Sequence, residues 1–268
     1  MSEKRWVAGI TVVLLAVAVA CNGSSDDTGG GTGDPAGPAT QTSPTTTEPI
    51  GSPGATGTAS ISGSVRYQGA VPNLRPVQMG ADPDCAKKHA TDVMPEVLVL
   101  GDDNALANVM VYVAGGLATG SYAPPSDAAV LDQVGCRYMP HVISVQAGQP
   151  FKILNSDGLL HNVHGLPKVN TAFNKAMPAA VTEAEYTFDK EEVFKIKCDV
   201  HPWMGAWVGV FGHPFHGVTG TGGAFSLEGL PAGTYDIEAH HERLGTLTAQ
   251  VTVADGQTAA HDFVFVKE

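Results

Sequence analysis

The sequence predicts an all-β protein behind a disordered tether, and three observations carry that expectation. Helical periodicity is scarce. Turn-forming residues abound, with 32 Gly and 18 Pro among 268 residues. Short runs of alternating apolar and polar side chains, the pattern of a half-buried strand, recur from residue 61 onward. Roughly 210 residues remain to fold from Ile61, which suits one large or two small β-domains.

The first element, residues 1–21, opens with Lys4 and Arg5, continues as an apolar run over 6–20 and stops at Ala18-Val19-Ala20-Cys21. A basic start followed by a short apolar run makes an export signal, too short for a span that needs about 20 apolar residues. Cys21 after small residues resembles a bacterial lipobox, which implies that it is diacylated and becomes the mature N-terminus; ordinary signal cleavage nearby is the alternative. Residues 22–59 are almost entirely Gly, Ser, Thr, Pro, Ala and Asp, a low-complexity composition that cannot bury a core and reads as a flexible linker. Together these segments predict export, with a lipid anchor to the cell-envelope membrane and a domain facing the periplasm or the cell exterior.

Alternation then marks strands at 61–67, 97–100, 107–113, 142–145, 151–155, 192–197, 206–211, 224–227, 234–239, 247–253 and 262–266. The Ala147-Gly148-Gln149 turn between two of these runs predicts a β-hairpin, with Pro150 at a strand start, where its missing N–H is tolerated.

Two segments carry chemistry. One is Cys198-Asp199-Val200-His201-Pro202-Trp203-Met204, and the other is NSDGLLHNVH at 155–164. A thiolate, two imidazoles far apart in sequence and a thioether are the donors of a mononuclear electron-transfer copper site. Soft sulfur favours Cu(I), imidazole suits both oxidation states, and a trigonal His2Cys set with a weak axial Met changes charge with little ligand movement. Taken alone, Cys-x2-His also fits ordinary core packing, since free Cys and Met are common in interiors.

The run AGQPFKILN followed by His161-Asn162 resembles plastocyanin and pseudoazurin, as does the Cys198 loop ending in Met. The resemblance implies a cupredoxin Greek-key β-sandwich holding one copper ion per chain through His161, Cys198, His201 and Met204. Asn162 would tie the two ligand loops together. The loop departs from the plastocyanin pattern in having two residues, not four, between His201 and Met204. That spacing resembles the end of the dinuclear copper loop of cytochrome oxidase, but no second Cys lies nearby in sequence. The fourth donor is therefore Met204, His164, a backbone carbonyl or a water. His164 is otherwise expected to support the ligands from outside, and Pro202 and Trp203 to keep water away. With Cys21 acylated and Cys198 on copper, Cys85 and Cys136 remain as a disulfide pair for an oxidising compartment. The competing idea is a second metal site from Cys85 and His89 with Cys136 and His141.

A second resemblance lies near the C-terminal end. GGAFSLEGLPAGTYDI at 222–237 is similar to carboxypeptidase regulatory-like, transthyretin-type sandwiches, whose earlier strands resemble 61–65 and 107–113. This ordering predicts one β-sandwich split between 60–120 and 213–268, with the cupredoxin unit inserted at 121–212; two consecutive β-domains or one extended sandwich are the simpler alternatives. His213, His216, His240, His241 and His261 are expected on the surface or in strands. Over most of 60–268 the order of motifs also resembles exported bacterial proteins of the methylamine-utilisation and plastocyanin-like type.

With residues 1–20 removed, 13 basic side chains face 26 acidic ones. Such a surface disfavours nucleic acid and would steer toward a basic redox partner, a c-type cytochrome or an oxidoreductase. No GxSxG, phosphate loop or HExxH occurs in the sequence, so the expectation is a carrier rather than an enzyme. The alternatives are copper storage or delivery, and a structural or adhesion module of the envelope.

Overall fold

Strands dominate because the alternating runs bury one face each. In the computed structural model, which describes residues 57–267, the one α-helix among the described residues is the four-residue α1 (Pro83–Ala86). The expected signal peptide, Cys21 and nearly all of the 22–59 linker lie outside the described residues. Among the described residues no helix is long and apolar enough to cross a membrane.

The strands run β1 (Ala59–Gly69), β2 (Met110–Gly115), β3 (Ala129–Gln133), β4 (Tyr138–Met139), β5 (Val142–Gln146) and β6 (Pro150–Asn155). They continue as β7 (His161–Gly165), β8 (Phe173–Met177), β9 (Glu183–Thr187), β10 (Glu192–Lys197), β11 (Gly205–Phe211) and β12 (His216–Val218). The last five are β13 (Ala224–Leu230), β14 (Gly233–His241), β15 (Gly245–Val253), β16 (Thr258–Ala260) and β17 (Phe263–Lys267).

Pairing separates these strands into two groups. β1 pairs with β13, β16 and β17, and β2 lies between β12 and β14, with β15 outside β14. Ile61, Val65, Leu106, Val111, Ile237 and Phe263 share one core under these two sheets. The chain between them, β3 to β11, pairs only within itself, in the orders β5-β11-β10-β7-β8 and β4-β3-β6-β9. Leu131, Phe151, Ile153, Val163, Ile196 and Val208 share the second core. Burying each such side chain contributes about 1.5–3 kcal/mol, which makes these faces the main source of stability. A small cluster of Met110, Val142 and Phe211 joins elements of both groups.

Three expectations are corrected. Residues 97–100 form no strand, only an isolated bridge between Leu100 and Leu106. The runs on either side of Gly148 are not a hairpin: β5 pairs parallel to β11, whereas β6 pairs with β3 and β9. Gly148, at φ +83°, instead carries the chain from one sheet to the other. Alternation reports which face is buried, not which strand supplies the hydrogen bonds. His213 lies in no strand and is buried, its Nε2 2.8 Å from the Val113 carbonyl oxygen. His241 is buried as well, at the end of β14.

Candidate metal centre

β10 and β11 form an antiparallel pair whose register ends at Lys197 opposite Gly205. The seven residues between them make a closed loop: Cys198 N–H donates to the Met204 carbonyl (3.2 Å), and Met204 N–H donates to the His201 carbonyl (2.9 Å). This tight turn folds His201 back over Cys198, and the His201 N–H points at the thiol sulfur at 3.3 Å. The second segment arrives on β7, which pairs with β10 through His164 opposite Lys197 and Gly165 opposite Ile196. His161 opens that strand. The loop before it is shaped by buried Asn155, whose side-chain amide donates to the carbonyls of Leu159 and Met177 at 2.9 and 3.0 Å. Asn162 Oδ1 accepts from Asp199 N–H at 3.1 Å, a direct tie between the two segments.

The result is a buried three-donor cluster. The donor atoms of His161, Cys198 and His201 all lie within 4.8 Å of one another, at 0, 3 and 2% exposure. The two Nδ1 atoms are 3.0 Å apart, and His201 Nδ1 is 3.9 Å from the sulfur. Both Nε2 atoms face outward onto carboxylates, His161 onto Asp157 at 2.8 Å and His201 onto Asp82 at 3.0 Å. One thiol and two inward-facing imidazole nitrogens form a donor set that suits copper.

Electrostatics favours ionised groups here. Burial pushes the Asp157 carboxyl up, but hydrogen bonds from His161, the Cys136 N–H, Lys88 and the Gly135 N–H outweigh it and hold the group well below the usual carboxylate range. Burial lowers the His161 pKa, yet Asp157 and Cys198 raise it to about 9. Burial likewise pushes the Cys198 thiol up, and hydrogen bonding to His161 and backbone N–H groups brings it below its ordinary value. A thiolate is the form that binds metal.

The other predicted residues take different places. Met204 is buried at 2% exposure beneath the loop it closes. His164 lies on the opposite face of β7 from His161, as alternation requires, with Nδ1 3.0 Å from Asp199 Oδ2. Pro202 is exposed, contrary to the expected shielding, whereas Trp203 is half-buried with its ring centroid 5.0 Å from that of His201. Trp203 Nε1 donates to the Cys136 carbonyl at 3.1 Å. Cys85 and Cys136 form a disulfide. His89 contacts the Gly135 carbonyl oxygen and His141 contacts Glu242, so the residues of the competing second site are engaged elsewhere. A cleft of about 470 Å³ lies against the loop, its lining including Cys198, Trp203, Met204, Trp207, Lys195 and Glu242.

Sequence reasoning missed Asp157 and Asp82. Asp157 had a signal, since it stands four residues before His161 within the quoted segment. Asp82 had none, because 119 residues separate it from His201.

No protein-family model matches the chain, and no curated protein matches it. Among solved structures it is similar to a copper-containing nitrite reductase from Thermus scotoductus (19% identity, TM-score 0.30, 37% of this chain and 25% of that one). It is similar also to an amicyanin mutant in the Cu(I) state (22%, 0.29, 35% and 97%) and to a purple cupredoxin from Nitrosopumilus maritimus (22%, 0.27, 31% and 98%). The chain thus spans a quarter of the length of that nitrite reductase.

Proposed function

We propose that the chain is a cupredoxin-type copper protein that carries single electrons at the cell envelope. The observation that carries this reading is the convergence of buried His161 Nδ1, His201 Nδ1 and the Cys198 sulfur. Bound copper would supply a one-electron couple between Cu(I) and Cu(II). The protein's part is to hold the donors still. The two backbone bonds that close the 198–204 loop, the Asn162 tie and the Trp203 bond to Cys136 each restrict movement of a ligand-bearing segment. Met204 is the proposed weak fourth donor, and Trp203 keeps water from the His201 ring.

Burial of all three donors favours a retained ion over storage or delivery, which need exchange, and argues against a catalytic centre with a substrate position. Because the outer imidazole edges meet carboxylates, electrons would pass on the sulfur side, through the cleft beside Trp203 and Trp207. A basic redox protein, a c-type cytochrome or an oxidoreductase, is the proposed partner, and lipid on Cys21 the proposed anchor. The sheets built on β1 and β2 are proposed as a transthyretin-type sandwich (60–120 with 213–268) that carries the copper unit (121–212) as an insertion.

The test is the visible spectrum of the soluble domain loaded with Cu(II). An intense thiolate-to-copper band is expected, lost on ascorbate reduction and in Cys198→Ser, His161→Ala and His201→Ala, and kept in His164→Ala. A colourless Cu(II) protein, or colour that survives Cys198→Ser, refutes the assignment.

A further inference from the structure

We infer that Asp82 and Asp157 are positioning residues for the metal, a pair of carboxylates clamped onto the outer edges of His201 and His161 by the Cys85–Cys136 disulfide. This rests on the function proposed above, because it takes both histidines as ligands. An imidazole that binds a metal has given up its second proton, which leaves one nitrogen with a proton and one with a lone pair, and the partner of the protonated nitrogen decides which is which. A carboxylate at Nε2 demands the proton there. The lone pair is then left on Nδ1, where both rings face each other and the thiol.

Each carboxylate is itself held, and each time by a half-cystine. Asp157 accepts from the N–H groups of Gly135 and Cys136, both at 2.7 Å. Those residues sit at φ +63° and +50° in the tight turn between β3 and β4. A side chain disfavours the left-handed backbone held at Cys136, and contacts such as this one offset that strain. Asp82 caps α1 through Oδ1, accepting from Asp84 N–H at 3.0 Å and Cys85 N–H at 3.3 Å, which frees Oδ2 for His201. The disulfide joins the two cradles, and the Cys85 sulfur lies 3.6 Å from His201 Nε2. Lys88, two residues beyond α1, adds an ion pair to Asp157 at 3.1 Å.

The two arms differ in dependence. Asp157 is four residues from His161, and its side chain is 2% exposed. Asp82 reaches His201 across 119 residues, and its side chain is 34% exposed. The disulfide is therefore needed chiefly on the His201 side.

The experiment compares wild type, Asp82→Ala, Asp82→Asn, Asp157→Ala and the Cys85→Ala/Cys136→Ala double variant. Anaerobic Cu(I) competition gives affinity, and long-range proton–nitrogen NMR of the Cu(I) proteins gives the state of each imidazole. Expected are about 10–100-fold losses of Cu(I) affinity in both Asp→Ala variants and partial rescue in Asp82→Asn, which keeps an acceptor oxygen. Removing the disulfide should speed exchange of the His201 Nε2 proton while that of His161 stays protected. A wild-type protein with no thiolate band on Cu(II) loading refutes the copper reading itself. A normal wild-type band with unchanged affinity and imidazole signals in Asp82→Ala overturns this inference alone, and that variant decides if Asp157→Ala does not fold.

Discussion

Removing the Cys85–Cys136 bridge, as Cys85→Ala/Cys136→Ala, is expected to cost the sandwich of β3 to β11 about 4 kcal/mol. The bridge closes a loop with a sequence separation of 51. In the chain-entropy treatment such a cross-link withholds about 14 cal/mol/K from the unfolded ensemble, or about 4 kcal/mol at room temperature. That is a large share of the 5–15 kcal/mol typical of a domain, so the midpoint should fall steeply. Urea titration of the metal-free domain measures it. The tryptophans are Trp6, Trp203 and Trp207, so in a soluble domain starting after the linker the tryptophan fluorescence comes from the β10–β11 hairpin. The slope against urea should rise modestly, because the unfolded chain expands without its cross-link. A double variant within about 1 kcal/mol of wild type would show that the 82–89 segment is held by Lys88, His89 and packing alone, and would refute the reasoning.

Further outcomes follow from other residues. Met204→Gln should keep copper and some colour while lowering the potential, since a harder oxygen donor favours Cu(II); if neither Met204→Gln nor Met204→Leu shifts spectrum or potential, Met204 is not a ligand. Burial lowers the His241 pKa to about 4, so its neutral form contributes stability above the unfolded value near 6.5 that is lost as pH falls from there toward 4. The loss is at most on the order of 3 kcal/mol, and acid unfolding should be displaced to lower pH in His241→Phe; an unchanged acid limb refutes it. Cys21→Ala should move the protein out of the membrane fraction or block its processing, and unchanged membrane association would mean an uncleaved apolar anchor.

The β character was legible from the amino-acid order alone, and so were the residue types from which the proposed metal site is built. Phe194 and Ile196 point inward around exposed Lys195 because a strand alternates, and that period is visible without knowing any partner. Cys198, His201 and Met204 are close in sequence, so their loop was legible as a unit, and the His161-Asn162 pair was legible as its counterpart. Two kinds of feature remained hidden, strands without alternation and pairings that are non-local. β7 and β8 escaped notice because HNVHG and FNKAM lack clean alternation, yet β7 delivers His161. The run through Gly148 reads as a hairpin, since local turn chemistry does not say that two strands take partners in different sheets. Only the tertiary structure brings Asp82 and the disulfide against His201, across 119 residues. An imidazole shows in sequence that it can bind a metal; which of its nitrogens does so is set by whatever the fold places at the other.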